Sequence, residues 1–323
     1  MSNPVFTTYG TKGIREDLSD IIYNISPTDT PFISNVGKGT AKGTYTEWQV
    51  DSLSAASDNK HAEGAVAPGA ASEATQRVGN YTQIATKVAT VSGSNEVADA
   101  AGRNSEMAYQ LAKAGMELKR DMEKTLVGTD KAQSSGAVNL TRETASVYSW
   151  LATNCSVGTN GVAPNDGASP PVVKNDGTET YTAGSDRDLT DTVLDGLIQS
   201  IWTEGGNPSV IMCGAAQKAK ITAFTGNTAT SRKFTDAESK KFINAVDVYV
   251  SDYGELNVVP NRLMLTDAVL VLQPDMWSVD YYRDFFTKDL PVAADAESKQ
   301  IIVEYTLCSK NEAASGQIRD LNV

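Results

Sequence analysis

The feature that most constrains the fold of this chain is one long stretch of helical periodicity, residues 94–127. Apolar residues recur along it at three- and four-residue spacing, and positively charged residues gather in its second half. Ser94 can cap its start, and Gly128 follows its last turn. At 1.5 Å per residue such a helix would extend roughly 50 Å, longer than most helices of globular domains. We therefore expect it to form the spine of a domain, and we call residues 94–128 the spine helix.

Two polar segments on the N-terminal side of the spine helix have the alternation of paired strands. Residues 43–52 and 78–92 place β-forming side chains at every second position, and the loop between them is rich in Ala, Gly and charge. Neither face is apolar enough to bury a core, so such a hairpin has to lie against the body or a neighbouring subunit. Residues 14–25 have the spacing of a short helix, and an irregular arm is predicted after it.

The C-terminal half predicts an α/β body preceded by a long polar segment. Residues 129–188 are dense in Ser, Thr, Gly, Asn and Asp, which predicts a surface excursion with one ordered apolar island around Trp150. Amphipathic patterns predict helices over 189–204 and 215–224, with short strands following each. Residues 299–321 predict a terminal strand, a turn and a short return strand.

Composition excludes several classes of protein. The chain has 28 Lys and Arg against 40 Asp and Glu, and a net charge of −12 argues against a surface that grips nucleic acid. Three cysteines with no CxxC pair and a single histidine, His61, argue against a zinc cluster and fit a reducing compartment. We expect no transmembrane helix, signal peptide, metal or cofactor.

Four features resemble catalytic or ligand sites and are better explained without one. The glycine-rich stretch 37–44 lacks the Lys-Ser/Thr pair of a phosphate loop and precedes a strand, so a flexible hinge is favoured. His61 in a polar loop is expected to be a solvated residue. Cys213 follows a predicted strand, but the only histidine is distant, which favours a buried structural thiol. Asp188 and Asp191 are expected to cap a helix or face solvent. We therefore expect that the chain is not an enzyme.

The order of these elements resembles the major capsid proteins of tailed bacteriophages, whose shell fold is of the Hong Kong ninety-seven type and is also found in encapsulins. The resemblance extends over nearly the whole chain. It is carried by the stretches SPTDTPFISNVGKG, TYTEWQVDSL, DNKHAEG, NEVADAAG to EKTLVGT, SVYSWLATN, NPSVIMCGAAQKAKI and VEYTLCSKNEAASGQIRDL. The implied α+β fold has an N-terminal arm (1–42), an extended hairpin loop (43–93), a peripheral domain of spine helix (94–128) and terminal strands (287–323), and an axial domain (129–286) that includes the polar excursion.

The resemblance implies a structural role. Many copies would form hexamers and pentamers that close an icosahedral head shell around packaged double-stranded DNA, without sequence-specific binding to that DNA and without a membrane. Expected partners are further copies of the chain and portal, scaffolding and decoration proteins, with assembly in the host cytoplasm and residence in the virion. The expected interface residues of the hairpin and arm are Phe32, Trp48, Lys60, His61, Glu63 and Tyr81. The expected hinges are Gly37, Gly39, Gly43 and Gly93, each equally compatible with an ordinary turn.

Other classes of function remain open at this point. An encapsulin-like compartment shell or a head decoration protein would need no viral genome. A soluble α/β enzyme using Cys213 or an acidic pair is the less favoured alternative.

Overall fold

Two large β-sheets and a two-stranded hairpin organise the part of the chain that the structure describes. A computed structural model describes residues 28–51, 53, 56, 58–66, 75–97, 105–165, 175–224, 248–291 and 294–323. The predicted helix at 14–25 lies outside these ranges. The helices are α1 (Pro31–Asn35), α2 (Gly93–Val97), α3 (Glu106–Val127), α4 (Val147–Trp150), α5 (Asp191–Thr203) and α6 (Ala215–Thr222). The strands are β1 (Gly37–Thr40), β2 (Tyr45–Val50), β3 (Gln76–Tyr81), β4 (Gln83–Ser92), β5 (Cys155–Ser156), β6 (Val210–Cys213), β7 (Val248–Ser251), β8 (Gly254–Pro260), β9 (Val269–Leu272), β10 (Trp277–Leu290), β11 (Ala296–Ser309) and β12 (Gly316–Ile318).

The first sheet has four strands in the order β1-β10-β11-β4. β1 runs parallel to β10, while β11 pairs antiparallel with both β10 and β4. α3 packs on this sheet, because Leu118, Met122 and Leu126 recur on one face of the helix and share a core with Val303 and Tyr305 of β11. The sequence assigns the helix and the terminal strands of this unit to a peripheral domain, and that assignment stays a prediction.

The second sheet has six strands in the order β5-β12-β9-β6-β8-β7. One face packs against α5, whose Leu194, Ile198 and Ile201 are buried with strand residues such as Ile211. The opposite face contributes Met212, with Leu270 and Leu272, to the same core that α3 covers. The two sheets therefore share packed side chains. The predicted helices at 189–204 and 215–224 are confirmed as α5 and α6.

The spine helix is shorter than the periodicity indicates. α3 begins at Glu106, because Ser105 has an extended backbone (φ −141°, ψ 121°) and its side chain accepts a hydrogen bond from the Ala108 amide. Glu96 accepts from the Ser105 hydroxyl at 2.6 Å and from the Met107 amide at 2.9 Å, which satisfies further N-terminal donors. The prediction of one helix starting at Ser94 was therefore wrong. α3 spans 22 residues and about 33 Å.

The second predicted hairpin strand is divided between two sheets. β3 pairs with β2 in the register Tyr45↔Tyr81 to Val50↔Gln76, whereas β4 pairs with β11. The division falls at Thr82, which belongs to neither strand. The hairpin that leaves the body is therefore formed by β2 and β3 alone, and β4 is part of the body.

The predicted polar excursion contains part of the core, so its description as a surface segment was wrong. Tyr148 and Trp150 are 1% exposed, and Leu151 is fully buried. The Tyr148 hydroxyl donates a hydrogen bond to the Val127 carbonyl at 2.9 Å. The apolar island thus closes the C-terminal end of α3, which explains why it interrupts a polar sequence.

The predicted return strand does not pair with the strand before it. A 3-10 turn at Glu312–Ala314 redirects the chain, and β12 pairs with β5 and β9 in the second sheet. Asp188 also differs from expectation, because Thr190 is the residue that caps α5. Asp188 accepts instead from the Asn322 amide at 3.0 Å. Among the described helices, none has the length and apolarity needed to cross a membrane.

Candidate subunit interface

The arm is anchored to α3 through a buried carboxylate. Glu123 accepts hydrogen bonds from the backbone amides of Phe32 at 2.7 Å and Ile33 at 3.0 Å, the first turn of α1. The Asn261 side-chain amide donates to the same carboxylate at 2.7 Å. Burial raises the pKa of Glu123, and these hydrogen bonds oppose that rise. The prediction of an irregular arm was wrong for these residues.

The four glycines that the sequence offers as hinges lie in different environments. Gly37 and Gly39 belong to β1, where Gly39 opposes Asp280 of β10. A Cβ at Gly39 would lie 2.2 Å from the Asp280 Oδ1 atom, so this position favours close strand packing over bending. Gly43 lies in a bend between β1 and β2, and Gly93 begins α2. A hinge role stays a prediction for all four.

The base of the β2–β3 hairpin is fixed to the body by buried polar side chains. Asn80 is fully buried, and its amide donates to the Leu307 carbonyl at 2.8 Å and to the Thr144 hydroxyl at 3.0 Å. Thr82 is also fully buried and donates to Glu304 Oε1 at 2.8 Å. Bending of the hairpin is thereby confined to residues beyond this base.

Glu304 is the centre of a charge cluster under the hairpin base. Its side chain is 3% exposed and accepts from Arg283 Nε at 2.8 Å on one oxygen and from Arg142 on the other. Arg142 Nε also donates to the Thr82 carbonyl at 2.7 Å. The cluster joins β10, β11 and the hairpin base through one carboxylate.

The loop carried by the hairpin is open to solvent in its described residues. Every described residue between Asp51 and Val66 is exposed, and Leu53 and Val66 are 97% and 93% exposed. The polar contacts seen there are local, such as the 2.8 Å hydrogen bond between His61 Nε2 and Asn59 Oδ1. Exposed apolar side chains such as Leu53 and Val66, carried by a loop on a fixed stem, are available for a partner to cover.

The structure separates the predicted interface residues into two groups. Lys60, His61 and Glu63 lie together in the exposed loop. Trp48 and Tyr81 lie on the paired stem strands, where Trp48 packs against Trp150 with ring centroids 5.3 Å apart and Tyr81 against Tyr45 at 4.4 Å.

Phe32 does not fit the predicted interface. Its side chain is fully buried in the core of its own chain, so the prediction that it contacts a neighbour was wrong for the side chain. The cause is the Glu123 anchor, which draws α1 onto α3.

Sequence reasoning missed the polar anchors Asn80, Glu123 and Glu304. Only Glu123 leaves a signal, because it lies four residues before the buried Val127, on a side of α3 where apolar residues are expected. Asn80 and Glu304 stand in strands without any local pattern that marks them as buried.

Replacing Glu123 with glutamine should loosen the arm. The Phe32 and Ile33 backbone amides donate to different oxygens of the Glu123 carboxylate. In Glu123→Gln one of these oxygens becomes an NH2 group, which cannot accept, so one backbone amide would face another donor. We expect a loss of about 1–3 kcal/mol in the free energy of unfolding and faster amide exchange in α1. Thermal unfolding and hydrogen exchange would measure both. Glu117→Gln on the same helix is the matched control, because the Glu117 side chain is 40% exposed and bonds no arm amide in the described structure. An equal loss of stability in the two variants would contradict the anchoring role of Glu123.

The chemistry considered for an enzyme finds no support in the described residues. Cys213 is buried, and burial raises the pKa of its thiol to about 11, so the reactive thiolate is disfavoured. No group of three or more His, Cys, Asp and Glu side chains placed to hold a metal occurs in the described ranges. Residues 37–40 of the glycine-rich stretch form β1, a paired strand with no cradle for phosphate.

Comparison with known proteins gives a consistent result. The profile of the family described as SU10 major capsid protein matches residues 5–322. The major capsid protein of Escherichia phage Phieco32 is 30% identical over 346 aligned positions, which cover 98% of this chain and 97% of that protein.

Solved capsid structures share the fold at low sequence identity. The Cyanophage A-1(L) capsid asymmetric unit matches with a TM-score of 0.63 at 12% identity, covering 95% of this chain and 97% of that one. The capsid of a native GTA particle matches with a TM-score of 0.58 at 11% identity, covering 98% and 97%. The α+β shell fold expected from the resemblance is confirmed.

Proposed function

This chain belongs to the SU10 major capsid protein family, and on that premise we propose that its copies assemble through hexamers and pentamers into an icosahedral head shell. The chain is a phage major capsid protein, a structural component of the virion. The shell encloses double-stranded DNA, and the subunits assemble in the host cytoplasm. The family is one of structural proteins, which agrees with the expectation of no enzyme.

One observation carries the proposal about assembly. The loop on the β2–β3 hairpin is exposed throughout its described residues, while its base is fixed by Asn80 and Thr82. In an isolated subunit the exposed Leu53 and Val66 side chains contribute nothing to stability, whereas burying them on a neighbour would stabilise the contact. The hairpin therefore lies over an adjacent subunit in the shell.

Different residues of the hairpin serve this contact in different ways. Lys60, His61 and Glu63 contact the neighbour directly, because they are exposed in the loop. Trp48 acts indirectly by holding the stem against Trp150 of the body, and Tyr81 acts indirectly by packing against Tyr45 across the stem. Repeating one modest contact around each ring and across the shell gives a stable assembly by multivalency.

Closing a shell from hexamers and pentamers requires one chain to adopt slightly different contacts. Gly43 and Gly93 flank the hairpin segment and provide the places where the backbone can bend. Gly37 and Gly39 lie within β1, where bending would disturb pairing with β10, so they contribute less to this adjustment.

The net charge of −12 suits a wall that surrounds DNA without adhering to it. Like charges on wall and phosphate keep the entering DNA mobile. Portal, scaffolding and decoration proteins complete the assembly as further partners of the shell.

Size-exclusion chromatography and electron microscopy of the purified chain test the proposal. We expect capsomers or closed shells, because exposed hairpins find partners at high concentration. A stable monomer at all concentrations, alone and with scaffolding protein, would contradict the assembly. Nuclease-protected DNA in native particles is expected for a phage head, and particles filled with protein cargo would favour an encapsulin-like compartment.

A further inference from the structure

A small cavity separates the stem of the β2–β3 hairpin from the body. Its volume is about 20 Å³, which is enough for one water molecule. It lies further along the stem than the fixed base at Asn80 and Thr82, because its stem residues pair beyond Asn80 in the β2–β3 register. Side chains from both sides form its walls: Val50, Gln76 and Val78 from the stem, and Trp150, Asn175, Ser309, Asn311 and Glu312 from the body.

Two buried polar atoms of the residues in these walls have no hydrogen-bond partner among the described residues. Trp150 is 1% exposed, and its indole Nε1 is one of these atoms. Ser309 is 2% exposed, and its hydroxyl Oγ is the other. Because an unsatisfied buried polar group costs free energy, two such groups beside one cavity point to a bound polar molecule.

The stem side of the same contact has two further atoms of this kind. Thr46 Oγ1 and Trp48 Nε1 belong to β2, and both are buried without a hydrogen-bond partner among the described residues. The Trp48 ring packs on Trp150, and Val50 and Val78 belong to the same apolar core. Apolar packing is non-directional, so a small tilt of the stem at this contact costs little.

The walls of the cavity select the kind of molecule that binds. An indole N–H only donates, so the ligand has to accept a hydrogen bond from Trp150, and a metal ion cannot do so. The carboxylate of Glu312 lies in the same walls and disfavours an anion. The Ser309 hydroxyl can donate or accept, so it can pair with either end of the ligand. Water meets these requirements and fits the volume.

We propose that this cavity binds a water molecule that bridges Trp150 Nε1 and Ser309 Oγ, and that the hydrated contact lets the stem tilt about its fixed base. Bound water can change partners as the stem moves, whereas the Asn80 and Thr82 hydrogen bonds hold the base in place. The water site is a property of the subunit alone. The use of the tilt rests on the proposed function, because a tilting stem lets one chain meet its neighbours at slightly different angles.

Nuclear Overhauser effects between water and the tryptophan indoles test the site in the unassembled, full-length subunit. Trp277 is the matched control, because it is fully buried and its Nε1 donates to Ser315 Oγ at 3.0 Å. The variants Trp150→Phe and Trp277→Phe assign the two signals. We expect a cross-peak with long-lived water for the Trp150 indole proton and none for that of Trp277. Absence of the Trp150 cross-peak, or equal cross-peaks from both indoles, would overturn the water site.

Filling the cavity tests the tilt. Ser309→Val replaces the hydroxyl with methyl groups in a strand that tolerates β-branched residues, and we expect the Trp150–water cross-peak to disappear. We also expect relaxation dispersion at the amides of residues 76–79 in the unchanged chain, and its loss in this variant. Ser309→Ala is the matched control, because it removes the hydroxyl without filling the space, and its dispersion should persist. Val50→Ile fills the cavity from the stem side and gives the same test if Ser309→Val does not fold.

The outcomes separate this inference from the proposed function. Dispersion that is absent in the unchanged chain, or that persists in a folded variant with a filled cavity, would overturn the tilt. Shells of unchanged yield and geometry from a filled, rigid variant would overturn the use of the tilt in assembly. An unchanged chain that forms no shells would instead contradict the proposed function, and the measurements on the unassembled subunit would still decide the water site.

Discussion

Chains in which residues 55–74 are replaced by a short Gly-Ser linker should fold normally and form no shells. The replacement keeps β2 and β3 intact and removes a loop whose described residues are all exposed. Because every described residue of the loop is exposed, we expect the free energy of unfolding to change by less than about 0.5 kcal/mol. Assembly should fall to background, because each subunit loses the same contact and multivalency multiplies that loss over the shell.

Sedimentation and electron microscopy measure the assembly, and thermal unfolding measures the body. A milder pair of variants, Leu53→Ser and Val66→Ser, tests whether the apolar side chains carry the contact. Val138→Ser is the matched control, because Val138 is 92% exposed in a turn elsewhere on the chain. Intact shells from the loop replacement would refute the role of the hairpin, whereas loss of folding would show that the loop supports its own subunit.

The second large effect is expected from Glu304. Replacing it by leucine leaves Arg142 and Arg283 without their shared carboxylate and Thr82 without its acceptor. Removing one partner of a buried ion pair costs several kcal/mol, and we expect a loss of about 3 kcal/mol and a fall of several degrees in Tm. The hairpin base should also exchange its amides faster, because Thr82 loses its acceptor and Arg142, which donates to the Thr82 carbonyl, loses its carboxylate partner.

A double-mutant cycle separates the contribution of the Arg142–Glu304 ion pair to the free energy of unfolding from the contribution of side-chain packing. The variant Arg142→Met with Glu304→Leu removes both charges, and it should be less destabilised than the sum of the single variants by about 1–3 kcal/mol. Glu297→Gln on the same strand is the control, since Glu297 is 53% exposed and pairs only at the surface with Lys299. If the stability losses of the two single variants simply add, or if Glu297→Gln destabilises the chain as much as Glu304→Leu, then Glu304 and Arg142 do not stabilise each other as described.

Local periodicity predicted the elements whose burial depends on their own sequence. The apolar stripe of α3 and the amphipathic pattern of α5 define one buried face each, and both helices exist. The start of α3 could not be predicted, because Ser94 and Ser105 are equally good caps in sequence. Ser105 is the cap that is used, because the Glu96 carboxylate accepts hydrogen bonds from the Ser105 hydroxyl and from the Met107 amide in the first turn of α3.

Local sequence patterns could not predict which distant strands pair or which distant side chain anchors the arm. β12 pairs with Cys155–Ser156, which lie far away along the chain, and no local signal names that partner. Phe32 belongs to an arm that lacks a core of its own, and only the distant Glu123 explains its burial. Lys60, His61 and Glu63 were placed correctly in an exposed loop because the polar composition there excludes a core.

The position of β12 in the second sheet sets an order of events during synthesis. β12 lies between β5 and β9, so the strand that closes the sheet is the last to be made of the twelve strands in the described part of the chain. Until the chain is made through Ile318, β5 has no strand to join it to the rest, and the nearby core stays open. A chain made only as far as β11 therefore has an incomplete second sheet, although its hairpin has already been made. The apolar side chains that β12 covers stay exposed until this strand joins, and in that interval the chain is prone to non-native association.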